Sequence, residues 1–291
     1  MLALLPQLVL TGLTVGSIYA LVALGFVVIY NVTGILNFAQ GEFPMLGALL
    51  CASLLAGGLS VPLAAVAAVA AVCVLGALVE RLAVEPAYGS HPLTLIIITF
   101  GVSMAFRGLA LMVWGADPYT LPEFTPGAPL VLLSGVLTRQ AVWAIGLSLA
   151  VVAALFLFFA CTVPGAAVRA CADNPFASRL VGISPRRTSL FAFTLSAGLG
   201  AVAGIVIAPI TGATYDMGLG LGLKGFVAAV IGGLTNAPAA VVGGYLVGLI
   251  EALATGFLTP GYSGAITFLV LLLVLFLQRE GLLHGAQRRR A

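Results

Sequence analysis

Stretches of roughly twenty apolar residues recur along the chain, parted by short segments rich in Gly, Pro and Arg, as in a polypeptide that crosses a bilayer repeatedly. The pattern predicts helices over 7–30, 43–58, 61–80, 93–114, 140–161, 188–210, 224–236, 238–257 and 263–278. Segments 43–58 and 224–236 are short for a full crossing, and each is expected to be steeply placed, broken or re-entrant. The predicted fold is an all-α, polytopic transmembrane helix bundle of about nine spans, eight to ten at the limits.

Positively charged loops face the cytoplasm. Arg169, Arg179, Arg186 and Arg187 place 162–187 there, and Arg279, Arg288, Arg289 and Arg290 place the tail there too. The 115–139 loop, with Asp117, Glu123, four prolines and only Arg139, suits the outside. Counting back puts Arg81 inside and the N-terminus outside. Two passes over 224–257, rather than one, are then needed to return the tail to the cytoplasm, which gives nine spans. The first apolar segment lacks a basic leader and a small-residue cleavage site, and it reads as a retained helix.

Composition agrees. Of 291 residues, 62% are hydrophobic and 7% charged, against roughly a quarter charged in a soluble domain. A net charge of +3 carried by a few segment-end arginines does not indicate nucleic acid. Cys51, Cys73 and Cys161 lie in apolar segments and Cys171 in a polar loop, with no CxxC pair. Neither disulfides, a metal nor a cofactor is expected.

An internal repeat is visible. The block from Gly57-Gly58-Leu59-Ser60 through Pro62 to Val66 resembles that from Gly232-Gly233-Leu234-Thr235 through Pro238 to Val241. Each block follows a short apolar segment and precedes a helix ending near a glutamate, Glu80 or Glu251. An offset of five spans would invert the second copy, an architecture used by transporters.

Three features carry candidate chemistry. In the 162–187 loop, Asp173 or Asn174 can cap a short helix with Pro175 at its first position. That helix would show Phe176, Leu180 and Val181 on one side and stop at Gly182. It suits insertion into a partner's groove, or it is an ordinary basic loop that sets topology. Between the first two spans, Asn37, Gln40 and Glu42 form either a pathway-lining elbow or a structural turn capping a helix start. Arg107 sits mid-span and either snorkels or pairs with a carboxylate such as Glu251 or Glu42, chiefly in a structural role. Lys224 and Asp216 flank a Gly-rich entry to the second short segment, but the GxxxxGK[ST] spacing for nucleotide binding is absent. Close-packing small residues recur at Gly198, Gly200 and Gly204, and at Gly243, Gly244 and Gly248. His91 and His284 fall in loops, and no constellation at catalytic spacing stands out.

The stretch Arg169-Ala170-Cys171-Ala172-Asp173-Asn174 through Gly182-Ile183 resembles the cytoplasmic coupling loop of branched-chain amino-acid ABC transporter permeases. Gly16-Ser17-Ile18-Tyr19-Ala20-Leu21 and Gly34-Ile35-Leu36-Asn37-Phe38-Ala39-Gln40-Gly41-Glu42 resemble the opening of the H-type subunit. Gly225 to Gly233, Pro238 and Gly243-Gly244 fit its C-terminal half. The Asn-Phe-Ala-x-Gly-Glu block is the most specific part, and the resemblance runs over nearly the whole chain. It departs at Gln40, where the family usually has His.

The resemblance implies one permease domain, 1–291. A first repeat would span 1–161, a coupling loop 162–187, and a second repeat with a cytoplasmic tail 188–291. The implied activity is the translocation subunit of an importer for branched-chain or other small neutral amino acids, in a bacterial inner membrane. Its implied partners are a second permease of M type, two cytoplasmic ATPases and an external solute-binding protein. Arg169, Ala170, Cys171, Asp173, Asn174, Phe176, Ala177, Arg179, Leu180, Gly182 and Ile183 would then transmit ATP-driven motion. Asn37, Phe38, Gln40, Gly41 and Glu42 would line the pathway or its elbow. Because the wider family also imports urea and amides, that solute class is the alternative. A stand-alone secondary transporter would need ion-coordinating acids within its spans, for which only Glu42 and Glu251 are candidates.

Overall fold

The computed structural model describes residues 4–132, 135–257 and 263–277. Helix α1 (Leu5–Thr33) is followed by a 3₁₀ turn (Phe38–Gly41) and α2 (Glu42–Ala56). Next come α3 (Val61–Val79), extended by a π turn to Val84, and α4 (Pro92–Trp114). Strands β1 (Leu130–Leu132) and β2 (Gly135–Leu137) lead into α5 (Arg139–Cys161), α6 (Val163–Asp173) and α7 (Pro175–Leu180). The chain continues through α8 (Pro185–Thr211), α9 (Met217–Ile231), α10 (Ala237–Phe257) and α11 (Ser263–Leu277). Among the described residues, seven helical segments are long and apolar enough to cross a membrane, and α9 and α11 have fifteen residues each. The protein is a multi-pass membrane bundle. His284 and the basic tail from Arg279 to Arg290 lie outside the described residues.

Helix α1 runs through the centre and is buried along most of its length, whereas α3, α4 and α5 turn most of their surface outward. Small residues set how closely α1 packs. A Cβ on Gly248 would fall 2.4 Å from Gly16 Cα, and one on Gly244 2.5 Å from Ala20 Cα, so α10 lies directly on α1. Helix α8 is held similarly against α3, where a Cβ on Gly76 would fall 2.4 Å from Ala197 Cβ. In a lipid setting, where apolar burial gives little drive between helices, such close contact supplies the packing.

The two halves share local geometry. The long helices α1 and α8 both end at a glycine of positive φ, Gly34 at 67° and Gly212 at 77°. Each is followed by a fifteen-residue helix, α2 or α9. Both short helices close with the same turn, around Gly58 (φ 90°) and Gly233 (φ 88°). In that turn Leu59 N donates to Leu54 O and Leu234 N to Ala229 O.

The bundle has two distinct ends. At one, Gln7 bonds Val136 through both backbone groups, and Tyr119 pairs with Ala213. At the other, Asn31 Nδ2 donates to Thr235 O (3.2 Å), Arg186 meets Glu85 (3.7 Å) and Tyr88 meets Ser189. The segments 115–138 and 162–187 thus stand at opposite ends, as the charge pattern predicts.

Several expectations need correction. Segment 162–187 contains two helices, and Cys171 is buried against Thr188 (Sγ to Oγ1, 3.5 Å) instead of lying in a polar loop. Helix α6 is amphipathic, resting Val168 and Cys171 on the bundle. Residues 218–222 are the first turns of α9 and not an entry loop, so the helix predicted over 224–236 begins seven residues earlier and ends at Ile231. A short antiparallel hairpin, β1–β2, interrupts the all-helical plan in the 115–138 segment. His91 caps α4, its Nδ1 accepting from Leu93 N.

Candidate functional site

The elbow between α1 and α2 is built from residues 34–42. Gly34, in the left-handed region, ends α1 and lets the chain turn back into the bundle. Asn37 then caps the 3₁₀ turn, its Oδ1 accepting from Ala39 N (3.1 Å). Phe38 N donates to Thr99 Oγ1 of α4 (3.2 Å). Gln40 is fully buried. Its Nε2 donates to Ser196 O of α8 (3.2 Å), and the Ser196 hydroxyl lies 2.5 Å from Gln40 Oε1 and 2.8 Å from Gly25 O of α1. Only glycine fits at 25, because a Cβ there would fall 2.0 Å from Gln40 Nε2. The neutral amide thus supplies both donor and acceptor and ties α1, α8 and the elbow together.

Glu42 opens α2 and is 1% exposed. Its carboxylate suits a helix start. Oε1 accepts from Arg107 Nη2 (2.8 Å) and from Ser103 Oγ (2.7 Å), both on α4. Arg107 therefore pairs with Glu42 and not Glu251. Oε2 lies against Gly218, where a Cβ would sit 2.3 Å away, and it has no hydrogen-bond partner among the described residues. Gly41 touches Gly222 backbone to backbone: a Cβ on Gly41 would fall 2.7 Å from Gly222 Cα. The two short helices therefore meet at their N-terminal ends. Between them lies a cavity of about 80 Å³, walled by Glu42, Ser103, the first turns of α9 and the rings of Phe26, Phe38, Phe100 and Phe226. Phe226 sits 5.8 Å from both Phe26 and Phe38, ring centre to ring centre.

A second polar cluster lies between α1, α9 and α10. Lys224 pairs with Glu251 Oε1, and the Tyr19 hydroxyl donates to Glu251 Oε2 (2.6 Å). Lys224 also stands 5.5 Å from the centre of the Tyr19 ring, so its charge meets a carboxylate and a π face together.

At the far end of the bundle, Thr162 caps α6 and Asn174 caps α7. Asn174 Oδ1 accepts from both Phe176 N and Ala177 N at 3.0 Å. Pro175 occupies the first helical position, as the sequence predicts, and Gly182 (φ 83°) stops the turn. Phe176, Leu180 and Val181 are 72%, 77% and 73% exposed. Arg169, Asp173, Ala177, Arg179 and Gly182 are exposed too, while Ala170 and Ile183 are half-buried. The apolar group of α7 therefore projects away from the membrane bundle, an arrangement costly for a chain alone and suited to a covering partner.

The sequence matches the family described as branched-chain amino acid transport system, permease component, over residues 8–275. The chain belongs to this permease family. It is 32% identical to the high-affinity branched-chain amino acid transport system permease protein LivH of Escherichia coli (strain K12), over 95% of this chain and 94% of LivH. It is 33% identical to the corresponding protein BraD of Pseudomonas aeruginosa, over 96% of this chain and 95% of BraD. A more distant match is the autoinducer 2 import system permease protein LsrC of an Enterobacter species, 32% identical over 67% of this chain and 57% of LsrC. No solved structure matches.

In this permease the sequence-derived candidates form two separate groups, the elbow and the α6–α7 turn. Helix α8 joins them. It starts three residues after Gly182, and Ser196, Gly200 and Gly204 along it meet Gln40, Phe43 and Pro44. The polar partners Ser103, Ser196 and Tyr19 were missed by the sequence reading. Their only signal is a hydroxyl within an otherwise apolar run.

Proposed function

We propose that this permease is the H-type translocation subunit of an ATP-driven importer for branched-chain or other small neutral amino acids in the bacterial inner membrane. It pairs with a second permease of M type. Two ATPases grip the α6–α7 turn from the cytoplasm, and an external binding protein delivers the solute. The observation that carries this reading is α7: a capped, six-residue helix that shows Phe176, Leu180 and Val181 to solvent at the arginine-rich end of the bundle. An apolar helix face of this kind is what a partner's groove accepts.

Motion of α7 reaches the elbow through α8, a rod of 27 residues, about 40 Å long. The ATPase cycle can bias two states only by binding them differently, and α7 is the place where it can do so. The twin turns at Gly58 and Gly233, and the matched short helices α2 and α9, support reading 1–161 and 188–291 as inverted repeats. In that reading the nine helices α1–α5 and α8–α11 are the spans, and residues 37–42 line the pathway where the repeats meet. Phe176→Asp tests the coupling role. In liposomes holding the whole importer, it should lower ATP-dependent leucine uptake more than tenfold while leaving membrane insertion unchanged. Uptake at the unmodified level would refute the assignment.

A further inference from the structure

We propose that the cavity between Glu42 and the first turns of α9 is a recognition site for the zwitterionic head of a neutral, apolar α-amino acid. This rests on the reading of the chain as an amino-acid permease, and it adds a specific place and chemistry to it.

The carboxylate of Glu42 is almost wholly buried, yet one oxygen, Oε2, lacks a hydrogen-bond partner among the described residues. A buried carboxylate oxygen left in this way is costly and is an acceptor waiting for a donor. The other oxygen is already saturated by Arg107 and Ser103. Opposite Glu42, Gly218, Leu219 and Gly222 of the first turns of α9 form the wall. The Met217 and Leu219 N–H groups are already taken by Thr214 O and Asp216 O, which leaves the Gly218 N–H and the positive end of the helix dipole to meet a carboxylate. An ammonium at Glu42 Oε2 and a carboxylate at the start of α9 therefore have complementary counterparts on adjoining walls.

Charge balance selects among ligands. Arg107 already offsets the charge of Glu42. A bare cation would leave the buried site with excess positive charge and an anion would leave excess negative charge, whereas a zwitterion adds none. The remaining walls are the phenyl rings of Phe26, Phe38, Phe100 and Phe226, whose faces attract an ammonium and whose carbons pack an aliphatic side chain. About 80 Å³ accommodates the ammonium, α-carbon and carboxylate of such a ligand, since a water occupies roughly 30 Å³. The side chain lies at the mouth, where Phe100 and Leu219 are 50% and 42% exposed.

The test uses the complete importer in nanodiscs, without binding protein for the binding measurement. Radiolabelled leucine should bind, and excess leucine or valine should displace it. The analogue 4-methylpentanoate, which lacks the ammonium, should require at least tenfold more. Glu42→Gln should weaken binding at least tenfold. Phe100→Trp, a change at an exposed mouth position that spares the ion pair, should do the same. Stimulation of ATP hydrolysis by loaded binding protein is measured in parallel on the unmodified complex. If that stimulation is present but leucine does not bind, or 4-methylpentanoate competes equally, or neither variant weakens binding, the site is refuted and the importer reading stands. If stimulation is absent, the importer reading itself falls.

Discussion

Glu42 and Arg107 are unequally covered, the carboxylate 1% exposed and the guanidinium side chain 25%. Removing the arginine leaves a buried charge with Ser103 as its one remaining partner among the described residues. Arg107→Ala is expected to lower stability by about 3–5 kcal/mol, and adding Glu42→Gln should recover most of it. Thermal unfolding of the detergent-solubilised protein checks both. At Gln40 the required quality is a donor beside an acceptor. Gln40→Leu should cost about 1 kcal/mol by removing its hydrogen bonds to Ser196, and Gln40→His, which keeps both functions, should cost less in the same assay. That Arg107 must either snorkel or find a carboxylate was legible in the sequence, but which carboxylate was not. Glu42 and Glu251 both sit in apolar surroundings, and only the fold brings position 42 beside 107 and position 251 beside 224.

Helix by helix, most of the fold could be read because lipid-spanning segments announce themselves by length and polarity. The limits of α7 were legible too, since Asn174, Pro175 and Gly182 are cap chemistry with few alternatives. Helix α6 was not, because eleven residues with one apolar face make no span and look like loop. The start of α9 was misread for a related reason. Glycine weakens an isolated helix by about 1 kcal/mol per residue, but Gly218 and Gly222 are required by the approach of Glu42 and Gly41, and packing overrides propensity. The cap of α7 is separately testable. Asn174→Ala should destabilise that helix by about 1 kcal/mol, visible as faster tryptic cleavage after Arg179 in the folded protein.

For the molecule as a whole, the opposed ends of the bundle predict opposed accessibility. In a Cys161→Ser background, cysteine replacing Ala177 should react with a membrane-impermeant reagent only from the cytoplasm. Cysteine replacing Thr120 should react only from outside. Labelling of both from one side would overturn the inside–outside assignment of the bundle. A different kind of consequence follows from the place where Gly41 and Gly222 touch. Neither residue has anything left to trim, so a methyl added to one cannot be accommodated by shrinking the other. Suppressor selection started from Gly41→Ala should therefore recover true revertants at that codon and no second-site change at 222. The joint between the two halves is thus a genetic dead end, where drift is barred in both directions at once.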